Sequence, residues 1–163
     1  MPQPVAMDDA PTPPRAYLVV LDGSPEARVA LRFAARRAAK TGGTVELLAV
    51  VEPAEFVQWG GVQDAIEEEA RLGAEALLHQ AAGEILDELG IRPVLTVREG
   101  EPAKAIRAFL DEKHDIAALV LGAQAGSDPG PLVEEFANGA GQMPCPLMIV
   151  PGALDDAALD RLS

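Results

Sequence analysis

Two turns in this chain have the residue types and spacing that a ligand-binding loop needs. An apolar run over Tyr17–Leu21 ends in Asp22-Gly23-Ser24, and a later run over Ile116–Leu121 ends in a glycine-rich turn from Gly122 to Pro131. Glycines let the backbone approach a ligand closely, and the start of a helix presents free N–H groups that attract phosphate. The second turn occupies the place of a phosphate-binding loop but is misspaced for one, so the pattern indicates a ligand site and leaves open whether a phosphorylated small molecule binds there.

Patterns typical of catalysis are missing from the sequence. There is no Gly-x-Ser-x-Gly elbow, no Gly-Lys-Ser/Thr of a P-loop and no Gly-x-Gly-x-x-Gly after the first strand. His79 and His114 have no partners at the spacing of a metal site or a triad. A response-regulator receiver is also excluded, because Asp22 stands alone and no lysine follows the later strands. We therefore expect no catalytic residue and no metal ligand.

Composition narrows the choice of partners. The 163 residues are 48% hydrophobic, enough for one packed domain, and the formal net charge of −13 argues against nucleic acid and anionic membranes. No apolar run reaches the length of a membrane span, and the proline-rich start does not resemble a signal peptide. The single cysteine, Cys145, excludes an intramolecular disulfide. These features predict a protein of the cytoplasm.

Strands and helices alternate along the chain. Residues 1–15 are predicted to be a disordered proline-rich arm, 16–151 an α/β domain and 152–163 an acidic tail. Apolar runs predict strands over Tyr17–Leu21, Val45–Val51, Pro93–Val97, Ile116–Leu121 and Pro146–Val150. Helices are predicted from Pro25 to the glycines at 42 and 43, over Gln63–Leu89, from Pro102 and over Leu132–Ala140. The helix over Gln63–Leu89 is predicted to turn one side inward along its whole length, and the residues of that side are Ile66, Ala70, Ala74, Leu77, Ala81, Ile85 and Leu89.

This alternation predicts an α/β fold in which an open, doubly wound parallel sheet of five strands has helices on both faces. Such sheets bind ligands beyond the carboxyl ends of the strands, at the point where the strand order reverses. With the strand order 3-2-1-4-5, the turns after strands 1 and 4 face each other across that point.

The chain resembles the universal stress proteins over about residues 16–151. The resemblance is carried by Val20–Ser24, Gly100-Glu101-Pro102, Leu119–Gly122 and Pro144–Val150, in that order and spacing. It implies the sheet order 3-2-1-4-5, an adenine-nucleotide alpha-hydrolase-like fold and a regulatory or binding role in stress response. It also implies a possible ligand, AMP or ATP, with magnesium if the ligand is ATP.

The resemblance implies a set of ligand-binding positions. Asp22 would contact the adenine or ribose, the backbone of the second strand's end would hold the base, and Gly100 would lie near the ribose. The phosphates would contact the turn after the fourth strand. The full implied set is Asp22, Gly23, Ser24, Val50, Val51, Gly100, Gly122, Ala123, Gly126, Ser127 and Gly130.

The phosphate turn departs from the family pattern Gly-x2-Gly-x9-Gly-Ser/Thr. Counted from Gly122, the second glycine position is Ala125, although Gly126 follows, and the closing pair falls at Glu135-Phe136. Asp128, Glu134 and Glu135 also place acidic charge near the helix start. Three functions stay open: a sensor that binds an adenine nucleotide in a variant pose, a nucleotide-free dimeric interaction protein, and a slow ATP hydrolase.

Two surfaces are candidates for protein partners. The apolar run Leu147, Met148, Ile149 and Val150 lies on what should be an edge strand, which predicts a homodimer through that strand. The loop that holds Phe56 and Trp59 is a candidate contact for another protein. A row of cations at four-residue spacing is interpreted as a solvated face near Glu67-Glu68-Glu69; its members are Arg28, Arg32, Arg36 and Lys40.

Overall fold

A computed structural model describes residues 15–53 and 60–163 of the chain. The strands are β1 (Ala16–Val20), β2 (Thr44–Val51), β3 (Val94–Glu99), β4 (Ile116–Ala123) and β5 (Leu147–Pro151). The helices are α1 (Pro25–Thr41), α2 (Gly60–Leu89), α3 (Pro102–Glu112), α4 (Pro131–Asn138) and α5 (Asp156–Leu162), with a short 3-10 helix over Ala140–Gln142. The predicted arm up to residue 14 and the candidate contacts Phe56 and Trp59 lie outside the described residues.

The five strands form one parallel sheet in the order β3-β2-β1-β4-β5, which confirms the predicted fold class. Two apolar clusters cover its faces. One joins α1, the second half of α2 and α5 to the sheet, and the other joins α3 and α4 to the opposite face. Because β1 is the central strand and is buried along its whole length, its carboxyl end is the fixed point around which the site is built.

Local sequence explains why α1 lies where it does. The Ser24 hydroxyl accepts a hydrogen bond from the Ala27 N–H, Pro25 occupies the first helical position, and Gly42 ends the helix with φ = 69°. The buried face consists mostly of alanines, namely Ala27, Ala30, Ala34, Ala35 and Ala38. Such small side chains bring the helix axis close to the sheet, so the first turn of α1 approaches the strand ends directly.

Helix α2 uses only part of its predicted inward face. Ile66 is 43% exposed, whereas Ala81 and Ile85 are buried as expected, and the buried Leu78 was absent from the predicted stripe. The helix has 30 residues and rises about 45 Å, longer than any strand of the sheet. Its first half therefore extends past the sheet, and the stripe predicted along all of it was wrong there.

The predicted acidic tail over 152–163 contains a docked helix instead. Leu159 of α5 is 1% exposed in the cluster beneath α1, and the Asp155 carboxylate accepts from the Ala158 N–H at 2.9 Å as a cap. The helix was not predicted because α5 has only seven residues, about two turns, which is too short for a helical period to stand out in the sequence.

The cations of α1 are paired with α5 and α2, and not with Glu67–Glu69 as expected. Arg36 contacts Asp160 at 2.6 Å and Asp156 at 3.6 Å, and Lys40 donates to the Asp160 carbonyl at 2.7 Å. Arg28 contacts Glu84 of α2 at 3.3 Å. The acidic residues of the tail thus neutralise the row that the sequence left exposed to solvent.

Replacing Leu159 by alanine tests whether α5 is part of the folded unit. We expect a loss of about 2–4 kcal/mol in the free energy of unfolding, because a fully buried leucine leaves a cavity when truncated. Leu162→Ala on the same helix is the matched control, since Leu162 is 50% exposed and should change stability by less than about 0.5 kcal/mol. Equal urea midpoints for the two variants would contradict the docking of α5.

Candidate functional site

A cavity of about 580 Å³ opens at the carboxyl ends of β1 and β2, beside the β1–β4 pair at which the strand order reverses. Pockets of this size and position are where open α/β sheets bind small molecules. Its walls come from β1, β2 and the first turns of α3 and α4. The described residues that line it are Val20, Leu21, Asp22, Val50, Glu52, Glu101, Pro102, Ala103, Pro131, Leu132 and Glu135.

A second cavity, of about 250 Å³, adjoins the first on the α1 side and is lined in part by the same residues. Val20, Asp22, Pro131 and Leu132 contribute to both, so Asp22 stands between the two spaces. The smaller cavity is lined by the turns after β1 and β4, which the sequence predicted to face each other. That prediction of facing turns is confirmed.

The predicted binding residues do not all lie at these cavities. Asp22 and Val50 line the larger one, and Asp22, Ser24, Gly122 and Gly130 line the smaller one. Gly23 lines a narrow crevice between α1 and α2. Six predicted positions are thus not among the described residues that line the two main cavities: Gly23, Val51, Gly100, Ala123, Gly126 and Ser127.

Backbone hydrogen bonds account for three of these six positions. The Gly100 N–H donates to the Val51 carbonyl at 3.0 Å, which joins the ends of β2 and β3. The Ala123 carbonyl accepts from the Gly152 N–H at 2.8 Å. These backbone N–H and carbonyl groups therefore already have partners within the protein and are not available to a ligand.

Asp22 is exposed, and its own backbone turn sets its orientation. The Oδ1 atom accepts a hydrogen bond from the Ser24 N–H at 2.9 Å, an arrangement that also sets up the cap of α1. The second carboxylate oxygen remains available to a donor in the cavity. Asp22 can therefore accept a hydrogen bond from a ligand amino or hydroxyl group.

Gly122 is required by packing. A Cβ atom at this position would overlap the backbone carbonyl of Glu26, which lies in the first turn of α1. The contact follows from the alanine face that draws α1 onto the sheet. The first glycine of the expected phosphate motif thus has a structural role whether or not phosphate binds.

The rest of the glycine-rich turn is held together by hydrogen bonds between its own residues. The Gln124 N–H donates to the Pro129 carbonyl at 3.1 Å, and the Asp128 carboxylate accepts from the Gly130 N–H at 2.9 Å. Pro131, at the first position of α4, has no N–H to offer. Leu132 and Val133, the next residues of α4, line the smaller cavity, and no side chain caps this helix, so its first N–H groups have no side-chain partner.

Carboxylates line the larger cavity. Four of its eleven described lining residues are acidic, namely Asp22, Glu52, Glu101 and Glu135, and none of the eleven is lysine or arginine. The sequence drew attention to Glu135 by its position near the start of α4 and to Glu101 only as part of a helix start. Glu52 was missed, because a single acid after a strand gives no signal until the fold places it beside the others.

Glu101 is the N-cap residue of α3. Its two oxygens accept from the Ala103 N–H at 3.1 Å and the Lys104 N–H at 2.9 Å. The hydrogen bond from Lys104, followed by that from Ala103, lowers the pKa of the Glu101 carboxyl below its usual value of 4.5. The charged form of Glu101 is therefore favoured in the folded protein.

A pH series on Glu101→Gln tests this cap. A lowered folded-state pKa gives stability that is complete above pH 4.5 and is lost as the pH falls through the folded value. We expect the variant to unfold at a lower temperature than the original chain at pH 7, and the difference to shrink as the pH falls below 4.5. A gap of constant size across this range would show that the carboxylate charge does not contribute.

Other chemical features are sparse in the described residues. No three histidine, cysteine or acidic side chains there come together as a metal site, and no helix there is long and apolar enough to cross a membrane. Partial burial raises the pKa of the Cys145 thiol, which lowers its reactivity.

A family model described as the universal stress protein family matches residues 15–151. The chain belongs to the universal stress protein family. The match spans β1 to β5 and both cavities, so this family is the context in which the site must be understood. No curated protein sequence matches the chain.

Solved structures of universal stress proteins share the fold. The protein UspA from Lactobacillus plantarum superposes with a TM-score of 0.71 at 16% identity, over 83% of this chain and 97% of its own. A universal stress protein from Archaeoglobus fulgidus in complex with dAMP gives 0.60 at 20% identity, over 84% and 97%. A family protein from Arabidopsis thaliana with AMP bound gives 0.58 at 14% identity, over 85% and 92%.

Proposed function

We propose that this universal stress protein is a regulatory binding protein that holds a small adenine ligand at the switch point of its sheet, without chemistry of its own. The main support for this proposal is the cavity of about 580 Å³ beside Asp22, at the place where this fold binds ligands. Relatives of the same fold have been solved with AMP and with dAMP. In this proposal the adenine and ribose occupy the larger cavity, and Asp22 accepts from the base or the sugar.

The pose at the phosphate end differs from the usual family arrangement. The Gly130 N–H is already bonded to Asp128, and Gly126 and Ser127 do not contribute to the cavity walls described. A single phosphate would instead contact the first amides of α4, at Leu132 and Val133, across the smaller cavity. This supports binding of AMP over binding of ATP, whose two further phosphates would meet the closed turn.

A nucleotide-free interaction protein is the second candidate. The closed turn and the carboxylates at the cavity favour it, because each lowers the affinity for a phosphorylated ligand. Both candidates include a homodimer through β5, an edge strand that pairs with β4 and whose Ile149 is 43% exposed. Both also place the protein in the cytoplasm.

Native mass spectrometry of the freshly purified full chain tests both candidates at once. The expected spectrum is a dimer that releases an adenine ligand on denaturation. A dimer without ligand that gives no heat on titration with adenosine, AMP or ATP would support the interaction protein and reject the binding function. A monomer at high concentration would contradict the β5 dimer.

A further inference from the structure

The charge distribution around the larger cavity gives it a preference among adenine ligands. The apolar part of the lining, from Val20, Val50 and Leu132, suits an aromatic base, whereas the polar part is formed by carboxylates. No described lysine or arginine lines the space to balance these charges. A ligand gains from the apolar wall regardless of its charge, but each negative charge it carries is repelled.

Glu135 is the carboxylate of α4 that lines the larger cavity. It lies one turn beyond Pro131 and Leu132, the residues of the same helix that line both cavities. Its neighbour Glu134 does not appear among the residues lining either space. The smaller cavity is lined by Glu26 of α1 and by Asp22. Of the two adjacent glutamates of α4, Glu135 and not Glu134 is therefore the one placed to repel a charged ligand.

Arg107 of α3 moderates this repulsion without entering the cavity. Its guanidinium contacts the Glu135 carboxylate at 3.4 Å and lies over the Phe136 ring, 4.9 Å from the ring centre. Arg107 is not among the described residues that line the larger cavity, so it pairs with Glu135 without forming part of the cavity wall. The pair is partly exposed, so water screens it and part of the negative charge of Glu135 is still felt in the cavity.

We infer that the cavity selects adenine ligands of low negative charge and that Glu135 is the residue that sets this selection. Uncharged adenosine, or an adenosine phosphodiester with a single charge, binds more tightly than AMP, and AMP binds more tightly than ATP. This inference rests on the proposed function and adds to it the class of ligand. It makes Glu135 a specificity-determining residue.

The test measures calorimetric affinities of the full chain for adenosine, cyclic AMP, AMP and ATP in buffer without divalent cations. The readout is the ratio of the AMP dissociation constant to the adenosine dissociation constant, in which general effects on folding cancel. We expect a ratio above one for the original chain, and a fall of about tenfold in Glu135→Gln, which removes the charge and frees Arg107. Glu134→Gln, the matched control on the same helix, should leave the ratio unchanged.

Arg107→Gln should change the ratio of the AMP to the adenosine dissociation constant in the opposite direction. Without its partner cation the Glu135 carboxylate repels AMP more strongly, so the ratio should rise while adenosine binding stays within about twofold. A ratio below one in the original chain would overturn the inference and leave the proposed function intact. A ratio that does not respond to Glu135→Gln would overturn the role of Glu135. Absence of binding for all four ligands in every variant would reject the proposed function itself.

Discussion

Alanine at position 122 should destabilise the fold by about 3 kcal/mol, one of the largest effects expected from a single methyl group in this chain. The added Cβ would overlap the Glu26 carbonyl, and both partners of the contact are backbone, which cannot rotate away. Relief would require α1 to lift from the sheet and uncover its buried alanine face. Urea denaturation of Gly122→Ala, followed by circular dichroism, measures the loss.

Gly83→Ala supplies the control for this prediction. It adds the same methyl group in the interior of α2, where nothing lies within 4 Å of the new atom. Because alanine is the better helix former, this change should stabilise the chain by roughly 0.5–1 kcal/mol. If Gly122→Ala instead matched the original chain in stability, the packing role of Gly122 would be rejected.

Replacing Asp22 by alanine should weaken adenosine binding by about ten- to a hundredfold, because a hydrogen bond to a charged group contributes about 1.5–3 kcal/mol. Adenosine is the appropriate probe since it carries no charge, so that removing a carboxylate relieves no repulsion from phosphate. The measurement is calorimetric titration of the purified full chain.

Asp22→Asn separates the two roles of this side chain. Asparagine keeps the oxygen that accepts from the Ser24 N–H, so the turn into α1 persists, but the charge is lost. We expect its affinity to lie between those of the original chain and Asp22→Ala, with an unchanged melting temperature. Equal adenosine affinity in all three proteins would show that Asp22 does not contact the ligand.

Much of the fold could be predicted because its local signals agree with its global pattern. Continuous apolar runs gave the five strands to within two residues at either end, and Ser24, Pro25 and Gly42 marked the ends of α1 correctly. The sheet order followed from these elements together with the family resemblance. Helix α5 was missed because its stability comes from the contact of Leu159 with the core and from ion pairs with α1, neither of which has a local signature.

Glu46 is a second feature, this time inside a strand, that the local sequence could not predict. It is 5% exposed in the middle of β2, a segment predicted only as a buried apolar run. Its charge is balanced by Lys113, 3.4 Å away at the end of α3 and 67 residues later in the chain. No short-range pattern can indicate a partner at that separation, although burial of the strand could be predicted.

The position of the candidate site could be predicted from the sequence, but its hydrogen bonding and its charge could not. Strand ends and glycines indicated where Asp22, Gly122 and Gly130 would meet. Two features of the site depend on side-chain directions that the sequence does not specify. One is the hydrogen bond from the Gly130 N–H to the Asp128 carboxylate. The other is the lining of one cavity by Glu52, Glu101 and Glu135 together. The spacing mismatch in the phosphate turn was the sequence's one sign that this loop differs.

The docking of α5 has a practical consequence for how the molecule behaves on ion exchangers. Arg32, Arg36 and Lys40 form a cationic row whose charges are covered by the last eight residues of an otherwise strongly acidic chain. Proteolytic cleavage after Pro151 would remove this cover and expose the row. The clipped product loses three aspartates and one arginine and exposes the cationic row, so it should elute from an anion exchanger at lower salt than the full chain, which makes column retention an assay for whether α5 is in place.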